Sequence, residues 1–204
     1  MLGIADFGAF AAAVLVFLLI PGPGSFALLA ATGKGGFRAG AAATFGVIAG
    51  DQVLMWLAAA GVAAILKANP TLFHAMQYAG AAYLCWVGLR LAFTRGAAAG
   101  PIPMQPGHYF RQALLITLFN PKAIVFYMAF FPLFIDPATH RGLTTFGAMA
   151  LTIAALTAAY CLLLCAFADA VAARVRAHRR LADALRRAAG VVLVAFGLRL
   201  GTQS

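Results

Sequence analysis

Long apolar runs, separated by short polar or basic connections, dominate the chain and predict its elements. At about 20 apolar residues per helical crossing of a bilayer, spans are expected near 4–32, 40–66, 71–94, 111–134 and 143–170. A shorter apolar core at 188–198, "AAGVVLVAFGL", makes a sixth crossing if it recruits Leu185 to Arg187 and Arg199 to Thr202, whose arginines reach toward the interfaces. The alternative is five spans followed by a C-terminal helix lying on the membrane surface. No polar stretch is long enough for a second domain. The expected fold is therefore an all-α integral membrane protein, a single transmembrane domain over residues 1–204.

Two of these spans are interrupted. In "PGPGS", Pro21 to Ser25, two prolines each lack an N–H and crowd the carbonyl four residues back, and two glycines weaken the helix further. In "LLITLFNPKAIVFYMAFF", Asn120 and Pro121 break a second run and Lys122 places a charge beside the break. Each interruption falls in the first span of a three-span half, one repeat covering about 1–95 and the other about 108–204. Halves of three spans must be oppositely oriented, and matched breaks in such halves are the signature of an inverted-repeat transporter with its site between discontinuous helices.

Composition agrees with the pattern: 64% of the 204 residues are hydrophobic and 10% charged, and mean hydropathy is +0.93. The net charge of +10 comes from fifteen Lys and Arg against five acids. In a soluble protein that balance would suggest nucleic acid. Here the cations sit in short connections and accompany no nucleic-acid motif, so they read as orientation signals. Lys34, Arg38, Arg90, Arg95, Arg111 and six arginines from Arg174 to Arg187 fall on one side; Lys67, Arg141 and Arg199 fall on the other. The positive-inside rule then puts both termini outside a bacterial cytoplasmic membrane. No Lys or Arg precedes the first run, which is longer than a signal-peptide core, so it reads as an uncleaved span.

The polar exceptions converge in depth. Pro23 lies eleven residues before Lys34, Asp51 thirteen after Arg38 and Lys122 eleven after Arg111. At ~1.5 Å per residue all three sit ~16 to 20 Å from the same cytoplasmic edge, near the middle of a ~30 Å core. Asp51, in "GVIAGDQVLMW", is costly there and marks a functional position. Burial opposes its charged form while a nearby Lys122 favours it, which suits a group that exchanges a proton during transport. The structural alternative is a fixed Asp51–Lys122 ion pair.

Helix breaks expose backbone groups that hydrocarbon cannot satisfy, and a zwitterion could use them. Its carboxylate would meet freed N–H groups near Gly24 to Phe26, or the Lys122 ammonium. Its amino group would meet freed carbonyls or Asp51. The candidate substrate-binding residues are Pro21, Gly22, Pro23, Gly24, Ser25, Asn120, Pro121 and Lys122, with Asp51 as the proton-coupling residue. The bland reading of "PGPGS" is a packing kink. Gly36 with Gly40 and Gly46 with Gly50 have the spacing of close helix packing, and Gln52 suits a hydrogen bond between helices.

No cofactor or metal is expected. Cys85, Cys161 and Cys165 lie in apolar segments without histidine or acidic neighbours and read as packing residues, although they are the only thiols available to a soft-metal exporter. An intramembrane protease would need a second carboxylate at the depth of Asp51, and Asp169 lies close to the cytoplasmic arginines instead. A passive channel would need a continuous polar lining, which these spans do not offer.

"PGPGS", "GGFRAGAAATFGVIAGD", "AGAAYLCWVGLRL" and "LFNPKA" together resemble the LysE/RhtB family of amino-acid exporters over nearly the whole chain. The resemblance implies a six-helix exporter in the cytoplasmic membrane that moves amino acids or close derivatives outward, driven by the proton gradient. Its partners would be the solute, protons and the lipid bilayer, with a homodimer among the assemblies it allows. Pro21, Gly22 and Pro23 match the family's Pro-Gly-Pro break, Asp51 its span-two acid, and Asn120, Pro121 and Lys122 its Asn-Pro-Lys break. Gly24 departs from the Asn or Asp usual in the family at that point.

Overall fold

The computed structural model describes residues 4–20, 22–68, 104–135 and 142–168, with isolated helical positions between 71 and 93 and between 187 and 198. Pro21, Asp169, the basic stretch at 174–186 and most of the predicted third and sixth spans lie outside the described residues. Cys85 Sγ lies 3.8 Å from the Val194 carbonyl, joining those two regions.

Helix α1, Phe7–Leu19, begins where the Asp6 carboxylate accepts the Ala9 N–H at 2.9 Å, one of the donors a helix start leaves free. It stops at Ile20, whose backbone is extended (ψ 112°). Helix α2, Pro23–Ala68, opens on a proline, which needs no N–H partner in a first turn. The predicted break in the first span is thus present, and α1 ends after ~20 Å at ~1.5 Å per residue, short of a crossing.

α2 is two helical limbs folded at Gly35 and Gly36. Gly36 has φ 67° and ψ −167°, a region essentially reserved for glycine. The expected connection between spans one and two contracts to this turn, and Gly36 serves the turn rather than the helix packing its spacing suggested: an added Cβ would meet nothing within 4 Å. Gly40 does pack, against Thr32 of the other limb and Cys165.

Helix α3, Tyr109–Leu118, is followed by a second break at Phe119 and Asn120. Asn120 then caps α4, Pro121–Val125, by accepting the Lys122 N–H on Oδ1 at 3.0 Å. Asn at the cap and Pro at the first position are both strong helix starters. α4 widens into a π-helical turn, Phe126–Phe130, and tightens into a 3-10 turn, Phe131–Phe134. Helix α5 is Leu143–Ala166.

The 37–68 limb lies directly on α3. An added Cβ at Gly50 would sit 2.7 Å from Thr117 Cβ, and one at Gly46 would strike the Phe110 carbonyl oxygen. Gly46 and Gly50 therefore let backbones touch, as their spacing predicts. Gln52 ties the same limb to α5, its Nε2 donating to the Ala150 carbonyl at 3.1 Å. At the far end, Ile4 and Ile135 form an isolated antiparallel bridge, and the Ala5 N–H donates to the Phe134 carbonyl at 3.0 Å. Phe10 meets Phe134 edge-on, with ring centroids 5.5 Å apart. Residue 4 is thus beside 135 while Phe17 and Ile20 are beside Lys122, so α1 and the 121–135 stretch run antiparallel.

Among the described residues two helical stretches, Pro23–Val62, folded at Gly35 and Gly36, and Leu143–Ala166, have the length and apolar composition to cross a membrane. α1 and α3 fall short because the breaks divide the runs to which they belong.

Candidate functional site

The two breaks face each other. Ending α1 at Ile20 strips its last carbonyls of intrahelical donors, and Lys122, at the start of α4, supplies replacements. Its ammonium donates to the carbonyls of Phe17 at 2.9 Å and Ile20 at 2.6 Å. It also lies 4.3 Å from the centroid of the Phe17 ring, a cation–π contact. Phe17 in turn stacks on Phe126 at 3.9 Å. Lys122 therefore takes the freed carbonyls that sequence reasoning offered to a substrate amino group.

Asp51, in the 37–68 limb, is 4% exposed. Its carboxylate accepts a hydrogen bond from the Tyr127 hydroxyl, delivered by the π-helical turn, and it feels the Lys122 charge through space. Thr157 of α5 also faces Asp51. It is 1% exposed, and Asp51 is the one polar group among the described residues that its Oγ1 meets.

Beside Asp51 and Lys122 lies a small open cavity of about 50 Å³. Gly22, Gly24, Ser25, Asp51, Asn120 and Lys122 line it, so six of the nine residues singled out in the sequence meet at one place. Pro23 starts α2 without lining the cavity. Pro121 starts α4, and Pro21 lies outside the described residues. The rest of the wall is mainly apolar, from Phe17, Leu18, Leu28, Val47 and Ala123.

Sequence reasoning missed Tyr127, Thr157, Thr117 and Tyr160. Tyr160 hydrogen-bonds with Ser25 across the cavity and, with Thr117, lines it. Each is an uncharged polar residue in an apolar run, and only its position relative to Asp51 or the "PGPGS" break distinguishes it. Cys161 lines the cavity, whereas Cys165 Sγ lies 3.9 Å from Thr44 Oγ1 in the packed interior. Among the described residues no group of three or more His, Cys, Asp or Glu could hold a metal ion.

A carboxyl, an ammonium and helix-end backbone groups thus surround one cavity in an apolar chain. Sequence relationships give the family. The LysE type translocator family matches residues 15–204. The chain is 37% identical over 209 residues to an uncharacterised membrane protein of Pseudomonas aeruginosa, covering 98% of this chain and 97% of that one. It is 33% identical over 205 residues to a leucine efflux protein of Salmonella typhimurium (98% and 96% covered), and 33% identical over 204 to one of Klebsiella pneumoniae (98% and 96%). No solved structure is detectably similar. The chain belongs to the LysE type translocator family.

Proposed function

We propose that this protein is a proton-coupled secondary exporter of leucine and comparable apolar amino acids, working across a bacterial cytoplasmic membrane with both termini outside. The carrying observation is that two helix breaks, one carboxyl and one ammonium meet at a single cavity. The antiparallel course of α1 and the 121–135 stretch supports a six-helix inverted repeat, with the site between the broken helices at mid-membrane.

In this reading the substrate carboxylate approaches the start of α2. Gly24 and Ser25 carry the first N–H groups of that helix and have no intrahelical acceptor, whereas the Phe26 N–H already closes on the Gly22 carbonyl at 3.1 Å. The substrate ammonium takes Asp51, since Lys122 occupies the freed carbonyls. The apolar side chain lies against Leu18, Leu28 and Val47, and the naming of two relatives for leucine efflux agrees with that wall.

Asp51 serves substrate and proton in turn. Charged, it holds the ammonium and the Tyr127 hydroxyl. Neutral, it releases the ammonium, and its new O–H has the Thr157 Oγ1 beside it as an acceptor. A proton entering from outside therefore displaces the solute outward.

The test is efflux from cells preloaded with mixed dipeptides, following each free amino acid with and without the protein, before and after collapse of the proton gradient. Faster, gradient-dependent loss of leucine is expected. Leucine loss unaffected by the protein would sink the reading.

A further inference from the structure

The two glycines at the mouth of α2 differ in a way that helix geometry does not explain. At Gly22 an added Cβ would lie 3.4 Å from Lys122 Cδ and 3.6 Å from its Nζ, so the lysine stem fills that place. At Gly24 an added Cβ would meet nothing within 4 Å. Gly24 lies within the first turn of α2 and is not among the positive-φ glycines Gly36, Gly107 and Gly142. Glycine is one of the poorest residues for a helix, and here neither backbone conformation nor close packing requires it.

That open space adjoins the cavity. Gly24 lines it, and so does Leu28, one turn further along the same helix face and 1% exposed. A side chain at position 24 would share with Leu28 the helix face that borders the cavity. Ser25, the next residue, is engaged with Tyr160.

We infer that Gly24 is the size-selecting position of the cavity: the missing side chain leaves room beside Leu28 for a branched or long apolar side chain of the exported amino acid. A β-carbon would narrow the slot and a β-branched residue would close it. Small amino acids would then lose less than large ones, because overfilling a packed apolar site penalises the groups that must enter it.

This inference rests on the exporter reading above, and the experiment separates the two. Wild-type, Gly24→Ala and Gly24→Val proteins are reconstituted into liposomes, with folded amounts matched, and export efficiency is measured for leucine and for alanine. The leucine-to-alanine ratio is expected to fall in steps, by about tenfold or more for Gly24→Val. A ratio that stays within twofold of wild type in both variants overturns the inference while leaving the exporter reading intact. Export of neither amino acid by the wild-type protein overturns both. Gly24→Ala keeps the test decisive should Gly24→Val fail to fold.

Discussion

The Lys122 ammonium sits 2.6 Å from the carbonyl of Ile20, a residue 102 positions earlier in the chain. One helix break thus supplies the donor that the other lacks. Each break would be costly alone in a membrane, where an unpaired backbone group finds no water. Together they form a joint across which α1 and α4 hold one another.

Removing that donor strands the Phe17 and Ile20 carbonyls. Lys122→Met, of similar length and apolar, is expected to destabilise the protein by about 1–3 kcal/mol for each carbonyl left buried and unpaired. A lower apparent melting temperature in detergent is the readout. A melting temperature equal to wild type would show that the joint is not structural.

Asp51→Asn should behave differently. If Asp51 and Lys122 were a closed ion pair, neutralising one partner would leave a lone buried charge and cost about 3–5 kcal/mol. Lys122 already has two carbonyl partners and the Phe17 ring, so Asp51→Asn is expected to yield folded protein within about twofold of wild-type amounts. Loss of folded protein, with rescue by the added change Lys122→Ala, would establish the closed pair instead.

Thr157→Val removes the buried hydroxyl that faces Asp51 and keeps the shape of the side chain. A residue that only fills space would leave stability nearly unchanged, since valine keeps its volume. The expected outcome is an unchanged or higher melting temperature together with a several-fold loss of gradient-driven efflux. Unimpaired efflux would remove Thr157 from the proton cycle.

The glycines separate by contact. Gly50→Ala pushes a Cβ to 2.7 Å from Thr117 Cβ and is expected to cost about 1–3 kcal/mol through forced displacement of α3. Gly33→Ala, in the same α2 but with nothing within 4 Å, should be neutral or stabilising by up to ~1 kcal/mol on helix propensity. Equal melting temperatures for the two variants would contradict the packing described for the α2–α3 interface.

Both breaks and Asp51 were legible in the sequence because proline, glycine and a carboxylate are expensive in an apolar helix and stand out as single letters. That Gly46 and Gly50 pack was legible from their spacing. The partner of Lys122 was not, because the Phe17 and Ile20 carbonyls are backbone groups and leave no mark on composition. Tyr127 was missed for a related reason. An α-helical count puts it ~140° around the helix from Lys122, and the π-helical winding that starts at Phe126 has no residue signature. Gly36 misled because a small residue at packing spacing and a glycine required by a turn look the same until φ is known.

The most direct test of the central claim, that Asp51 couples proton entry to solute exit, compares wild type and Asp51→Asn in liposomes under two regimes. One regime drives leucine by an imposed proton gradient; the other measures exchange of labelled for unlabelled leucine with no gradient. The account predicts that Asp51→Asn loses gradient-driven accumulation and retains measurable exchange, since an amide still accepts a hydrogen bond from the substrate ammonium. Gradient-driven accumulation at the wild-type rate in Asp51→Asn would contradict it.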